Sequence, residues 1–205
     1  MSDPAASLFA DLHDFPTLHT ERLTLRELSD GDAPAAFRLF SDPEVMRFIG
    51  KPPHTSHEET LAFVRRNQLL FPAEEGVGWA MCLRGTDELV GYAGHWRLMR
   101  QHLRSEIGYQ MLREHWGNGL MTEALRAILR FGFERLGLNS VEAQIDPANT
   151  RSRKTLERLG FVQDGLLRES FFFGGEYTDT AVFTLLEREY APHTFGAPSP
   201  EAEEP

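Results

Sequence analysis

Apolar and polar residues change rhythm several times along the chain, and each change marks an element. Arg22-Leu-Thr-Leu-Arg26 alternates, which predicts a first strand. Asp32 then caps a helix with Pro34 in its first turn and Phe37, Leu39 and Phe40 as apolar members. Pro43 ends it near Ser41-Asp42, with a short helical turn after it. Thr55 or Ser56, with Glu58 or Glu59 three residues on, forms a capping-box start. The second helix carries Leu61, Phe63, Val64, Asn67, Leu70 and Phe71 and stops at Pro72. Strands follow at about 79–84, 88–97 and 103–112, with a tight turn at Thr86-Asp87 between the first two.

Residues 120–136 hold the strongest helical pattern, with Met121, Ala124, Leu125, Ile128, Phe131 and Leu136 near helical spacing and Gly137 closing it. A strand at 140–145 and a short helix from about Thr150 to Leu159-Gly160 come next. Two long strands, about 161–172 and 177–187, flank a hairpin turn at Gly174-Gly175. The order β-α-α-β-β-β-α-β-α-β-β predicts an α/β (α+β) fold, a mixed sheet with helices on both faces and no doubly wound repeat. Residues 1–16 and the acidic, proline-rich residues 191–205 are expected as flexible tails around one domain at 17–190.

Composition narrows the function classes. In 205 residues, 41% are apolar and 25% charged, which suits one globular domain. The single cysteine, Cys82, excludes an intramolecular disulfide framework, and on an apolar strand it reads as a core thiol. The sequence shows neither a transmembrane run nor a signal peptide, so the cytoplasm is the expected compartment. A net charge of −10 repels a phosphate backbone, so nucleic acid is not an expected partner, whereas cationic amines are attracted weakly.

Candidate chemistry centres on Glu114-His-Trp-Gly117-Asn-Gly119, which joins a strand to the strongest helix. A helix start has unpaired N–H groups and partial positive charge, and glycines let a ligand come close. The segment is either a tight strand-to-helix turn or a seat for a diphosphate. No Gly-x-x-x-x-Gly-Lys-Ser/Thr occurs, because Gly50-Lys51 is followed by Pro52. A dinucleotide fingerprint would need a third glycine where Thr122 stands. No helical His-x-x-x-His or Glu-x-x-His spacing supports a metal site, and no Gly-x-Ser-x-Gly elbow supports a serine hydrolase.

Trp116-Gly-Asn-Gly-Leu-Met-Thr-Glu-Ala124, Asn149-Thr-Arg-Ser152 and Leu159-Gly-Phe161 together resemble the GNAT superfamily of N-acetyltransferases. Thr20-Glu-Arg-Leu-Thr-Leu-Arg26, Ser105-Glu-Ile-Gly-Tyr109, Leu167-Arg-Glu and Tyr177-Thr-Asp179 are similar to its branch of ribosomal-protein N-terminal alanine and serine acetyltransferases. The resemblance spans about 20–190. It implies a mostly antiparallel seven-stranded sheet with a central splay, and acetyl-CoA as cosubstrate. The diphosphate is then expected on the backbone of Trp116, Gly117, Asn118 and Gly119, with Leu120, Met121 and Thr122 at the helix start. The pantetheine arm is expected along Met111, Leu112 and Arg113, with Asn149 contacting it.

Acyl transfer to an amine needs a neutral amine, donors for the oxyanion, and a proton or donor for the leaving thiolate. Backbone N–H groups near Met111 or Leu112 are candidate oxyanion donors. Glu106 is the candidate general base; its alternative is a structural pair with Arg104 or another neighbour. Ser152, three residues after Asn149, is the candidate donor to sulfur by the same resemblance; its alternative is a helix-cap serine. Many relatives carry Gln or Arg where Glu114 stands, so Glu114 is expected to face solvent, with Arg113, Arg153 and Lys154 as candidate compensating charges. His95, His102 and His115 are weaker candidate bases.

The acceptor is expected to be an amine, on a protein N-terminus or a small molecule, with another acyl-CoA such as succinyl-CoA as an alternative donor. A non-catalytic acyl-CoA sensor is the alternative of another class. The closing hairpin offers a surface for a homodimer.

Overall fold

The computed structural model describes residues 8–9 and 12–190. A two-residue strand, β1 (Leu18–His19), pairs with β2 (Leu23–Arg26), where Leu23 and Leu25 are fully buried and Thr24 and Arg26 half-buried, as alternation requires. Helix α1 (Ala33–Phe40) has Pro34 in its first turn. The one-turn α2 (Pro43–Met46) is capped by Asp42, whose carboxylate accepts the Glu44 N–H. Ser56 caps α3 (His57–Gln68) through the Glu59 N–H, and Glu59 reaches back to the Thr55 N–H. This helix ends at Gln68 rather than at Pro72, because Leu69 and Leu70 donate three residues back, to Arg66 and Asn67, and close the last turn tightly.

Strands β3 (Val77–Leu83), β4 (Leu89–Met99) and β5 (Arg104–Met111) form an antiparallel meander. Helix α4 (Leu120–Glu134) follows, then β6 (Ser140–Ile145), α5 (Thr150–Arg158), β7 (Val162–Phe173) and β8 (Glu176–Leu186). The sheet order is β1-β2-β3-β4-β5-β6-β8-β7, antiparallel throughout except between β5 and β6. Among the described residues the sheet thus has eight strands, not the seven expected: β1 is too short to show any period.

Two layers of helix cover the sheet. Ala80, Cys82, Tyr92 and Leu112 face α1 and α3, packing with Ala36, Leu39, Phe40 and Val64. Met81, Ala93, Ile107 and Met111 face the other way, against Leu125, Ile128 and Leu129 of α4 and Leu156 of α5. Each of the buried Leu, Ile, Val, Met and Phe side chains among these contributes about 1.5–3 kcal/mol.

Part of the segment expected as an N-terminal tail is packed. Phe9 is buried, Phe15 lies edge-on to Phe71 and Trp79, and the Trp79 indole donates to the Pro16 carbonyl at 2.6 Å. Aromatic residues at irregular spacing gave that packing no periodic signature. The expected C-terminal tail, 191–205, lies outside the described residues. At the other end of the sheet, Gly174 and Gly175 turn the β7–β8 hairpin with φ of 63° and 91°. The outer strand β7 leaves Leu166, Leu167 and Phe172 exposed.

Candidate active site

The sheet opens between β5 and β6. Only Arg104, Ser105 and Glu106 pair with Ser140, Val141 and Glu142, and beyond Glu106 the two strands part. Leu112 donates its N–H to the Val90 carbonyl, so in this ladder the even residues of the β5 segment turn their backbone toward β4. Tyr109 and Met111 therefore turn theirs toward the gap. The Trp116 indole takes the Met111 carbonyl at 2.7 Å, leaving the Met111 N–H at the open edge. Leu112, expected beside the pantetheine arm and as an oxyanion donor, has its N–H engaged with β4 instead.

Side chains alternate across the same strand. Glu106, Gly108 and Gln110 share the α1–α3 face with Trp96 and Tyr92, their cross-strand partners. Ile107, Tyr109 and Met111 share the α4–α5 face. A cleft of about 640 Å³ runs through the gap, lined from one face by Glu106, Trp96 and Tyr92 and from the other by Tyr109, Asn149 and Ser152.

On the α5 side, the Tyr109 hydroxyl lies 2.6 Å from Ser152 Oγ. Asn149 caps α5, its side-chain oxygen accepting the Ser152 N–H at 3.1 Å. This cap places Ser152 in the first turn and aims its hydroxyl at Tyr109. Burial pushes the Tyr109 phenol up to about 12, against the opposing pull of the Ser152 hydrogen bond. It holds its proton at neutral pH and is a donor. Tyr109 has no candidate role in the sequence reading, because 43 residues separate it from Ser152 and only the fold brings the two hydroxyls together.

On the opposite face, Glu106 Oε2 accepts from Arg97 Nη1 at 2.7 Å. The neighbour is not Arg104, which pairs with Glu142. Parallel pairing of β5 with β6 sets Arg104 near Glu142 and frees Glu106 to line the cleft.

The loop after β5 is held from three sides. Gly117 and Gly119 adopt φ of 80° and 78°, a region costly for other residues, and nothing lies within 4 Å of a Cβ built on Gly117. Arg22 donates to the Asn118 carbonyl at 2.9 Å and to Glu123 on α4 at 2.7 Å. Thr20 and the Arg22 N–H complete the carboxylate's partners; burial pushes Glu123 up, yet these bonds hold it below the usual range. Arg151 lies 4.2 Å over the Trp116 ring.

His115 and Trp116 bond back to Leu112 and Arg113. The backbone N–H groups of residues 117–122, in contrast, have no acceptor among the described residues. Six such donors at the start of a 15-residue helix fit a diphosphate. Trp116 fits it through its ring and Arg151 rather than its N–H.

Other candidates fall elsewhere. Glu114 is exposed, as expected, and pairs at the surface with Arg38 at 2.5 Å. Arg113 approaches Asp42 at 3.8 Å, and Arg153 bonds Gln163. The cations that touch the loop are instead Arg22, on the Asn118 carbonyl, and Arg151, over the Trp116 ring. His95 is fully buried between the Ser105 hydroxyl and the Ile128 carbonyl, away from the cleft. Burial pushes the Cys82 thiol up to about 12, in keeping with an inert core group.

Residues 22–162 match the acetyltransferase (GNAT) domain family. The chain is 35% identical over 173 residues to the uncharacterized N-acetyltransferase YoaA of Bacillus subtilis, covering 84% of this chain and 98% of the relative. It is 26% identical over 183 residues to the ribosomal protein uS5-alanine N-acetyltransferase of Escherichia coli, covering 85% and 93%. The crystal structure of a GNAT-family acetyltransferase from Bacillus anthracis superposes with a TM-score of 0.77 at 27% identity, covering 85% of this chain and all of the other. A split sheet, a donor-rich loop and a family match over most of the chain lead to one conclusion: this chain belongs to the GNAT family, an N-acetyltransferase that uses acetyl-CoA.

Proposed function

We propose that the chain acetylates a protein N-terminal α-amine, with the two reactants meeting in the β5–β6 gap from opposite faces of the sheet. One observation carries this reading: Glu106 and the Tyr109–Ser152 pair lie on opposite faces of β5, just where β6 departs. Acetyl-CoA supplies the activated acetyl group as a thioester. The N–H groups of residues 117–122 hold its diphosphate, with Arg151 and Trp116 alongside and Gly117, Asn118, Gly119, Leu120, Met121 and Thr122 forming the seat. Met111 and Tyr109 offer backbone groups to the arm, and Asn149 lines its path.

The acceptor amine enters on the α1–α3 face, where Glu106 takes its proton directly or through a water. An α-amine has a pKa of about 8, so deprotonation near neutral pH costs little and a modest carboxylate base suffices. The nitrogen attacks the acetyl carbonyl, the carbon–sulfur bond breaks, and the Tyr109–Ser152 hydroxyl pair delivers a proton to sulfur. The Met111 N–H, free at the gap, is placed to receive the developing oxyanion. Similarity to the uS5-alanine enzyme supports a protein N-terminus as the acceptor class. The test is mass spectrometry of N-terminal peptides and small amines incubated with acetyl-CoA or succinyl-CoA. Acetylation at the peptide α-amine is expected; modification of small amines alone overturns the acceptor assignment.

A further inference from the structure

The acceptor side of the cleft is polarised, and its polarity opposes the net charge of the whole chain. Arg47, Lys51 and Arg66 line it from the α2–α3 side. Arg66 and Lys51 have no carboxylate within 4 Å among the described residues, and Arg47 has only Glu44 at 3.9 Å. The two unpaired charges act together: after burial, Lys51 and Arg66 push the His54 imidazole down against the pull of Glu59. Arg66 stands 5.7 Å over the Phe63 ring, which also lines the cleft.

The cleft carboxylates lie on the opposite wall or are engaged. Glu106 is paired with Arg97. Asp146 accepts the Ala148 N–H at 2.7 Å, and Asp179 accepts the Glu169 N–H at 2.8 Å. On the floor between the walls, Gln110 Oε1 is buried and has no hydrogen-bond partner. An orphaned buried acceptor on a cleft wall is a group awaiting a donor. Phe171, packed onto Gly50, brings the β7–β8 hairpin against the loop that carries Lys51 and walls the mouth.

A polyamine would meet Arg66 and Lys51 as like charges. A segment with an ammonium at one end and an anion a short distance away matches both walls. We propose that the acceptor N-terminus carries an acidic side chain within its first few residues, held by Arg66 with Lys51, while Gln110 accepts a peptide N–H. This rests on the N-terminal reading above and names the sequence class that the same site takes.

The experiment compares two C-terminally amidated peptides differing only by Glu or Gln at the second residue, with β-alanine, β-alaninamide and spermidine as small probes. The Glu peptide is expected to show kcat/KM about tenfold above the Gln peptide, as for a charge-assisted hydrogen bond. Arg66→Gln should erase that difference through KM for the peptide and leave KM for acetyl-CoA unchanged, and Arg66→Lys should restore part of it. Arg66 is exposed, so these variants keep the fold. Equal use of both peptides, indifferent to Arg66, overturns this inference and leaves N-terminal acetylation standing. Turnover of β-alanine but neither peptide, with the same Arg66 dependence, overturns the N-terminal reading and keeps the anionic contact. Turnover of spermidine alone overturns both.

Discussion

The hydroxyl of Tyr109 and the hydroxyl of Ser152 lie 2.6 Å apart, across 43 residues of sequence and on the face of β5 opposite Glu106. The pair closes one side of the gap where β5 and β6 part. Two hydroxyls in contact share protons readily, and the phenol, held up to about 12, is protonated at working pH.

Tyr109→Phe is therefore expected to lower kcat about a hundredfold with little change in acetyl-CoA affinity, the scale of a lost proton donor. Ser152→Ala should slow thiol release and also leave the Tyr109 hydroxyl unpaired, at about 1–3 kcal/mol of stability. Removing both hydroxyls should cost less than the sum of the single changes. CoA release and urea unfolding on the three variants read this out; strict additivity or unaltered kinetics would remove the pair from the mechanism.

Glu106→Gln should reduce turnover about a hundredfold while acetyl-CoA binds as before. Its partner Arg97 is largely exposed, so the lost ion pair should change stability by less than about 1 kcal/mol. A variant that keeps the wild-type pH–rate profile shows that Glu106 serves Arg97 and not the amine.

The loop can be tested with two substitutions at one position. Gly117→Ala places a methyl in open space, so its cost is the backbone strain of a positive φ, about 1–2 kcal/mol. Gly117→Asp adds a negative charge beside six free N–H groups and should weaken acetyl-CoA binding well beyond the alanine variant. Equal affinities by calorimetry would show that no anion sits there.

His95 predicts an acid weakness. Burial depresses its pKa from the ordinary 6.5 to about 4, against the pull of the Ile128 carbonyl. The unfolded chain therefore binds a proton more readily between those values. The stability that neutral His95 preserves is complete above 6.5 and falls as pH drops toward 4, by about 3 kcal/mol at most. The ring has no room to move, because Gly132 of α4 approaches so closely that a Cβ there would stand 2.8 Å from Nε2. Urea unfolding at pH 7 and 4.5 should show a steeper loss for the wild type than for His95→Gln; equal losses would place the acid sensitivity elsewhere.

Much of this was legible in one dimension. Alternation at residues 22–26, the cap at Ser56, the helical stripe from 120 and the two glycines at 174–175 are local signals, and local geometry decides those elements. Asp32 stands at the start of α1 but does not cap it, because its carboxylate accepts from Arg26 and Ser29 instead. The loop at 117–122 was legible for the same reason, since positive φ and a helix start are properties of neighbouring residues. Packing of Phe9 and Phe15, the pairing of β1, and the end of α3 before Pro72 were not, because each depends on contacts made elsewhere.

The order of residues by itself determined the strands, the helices and a donor-rich turn between the two that matter most. Only the tertiary structure decided that Glu106 answers to Arg97, that Tyr109 meets Ser152, that Gln110 is left without a donor, and that Arg47, Lys51 and Arg66 of an acidic chain line the same cleft. The reason is physical: periodicity assigns a side chain to a face, but partners across a gap are set by the register and divergence of strands far apart in sequence.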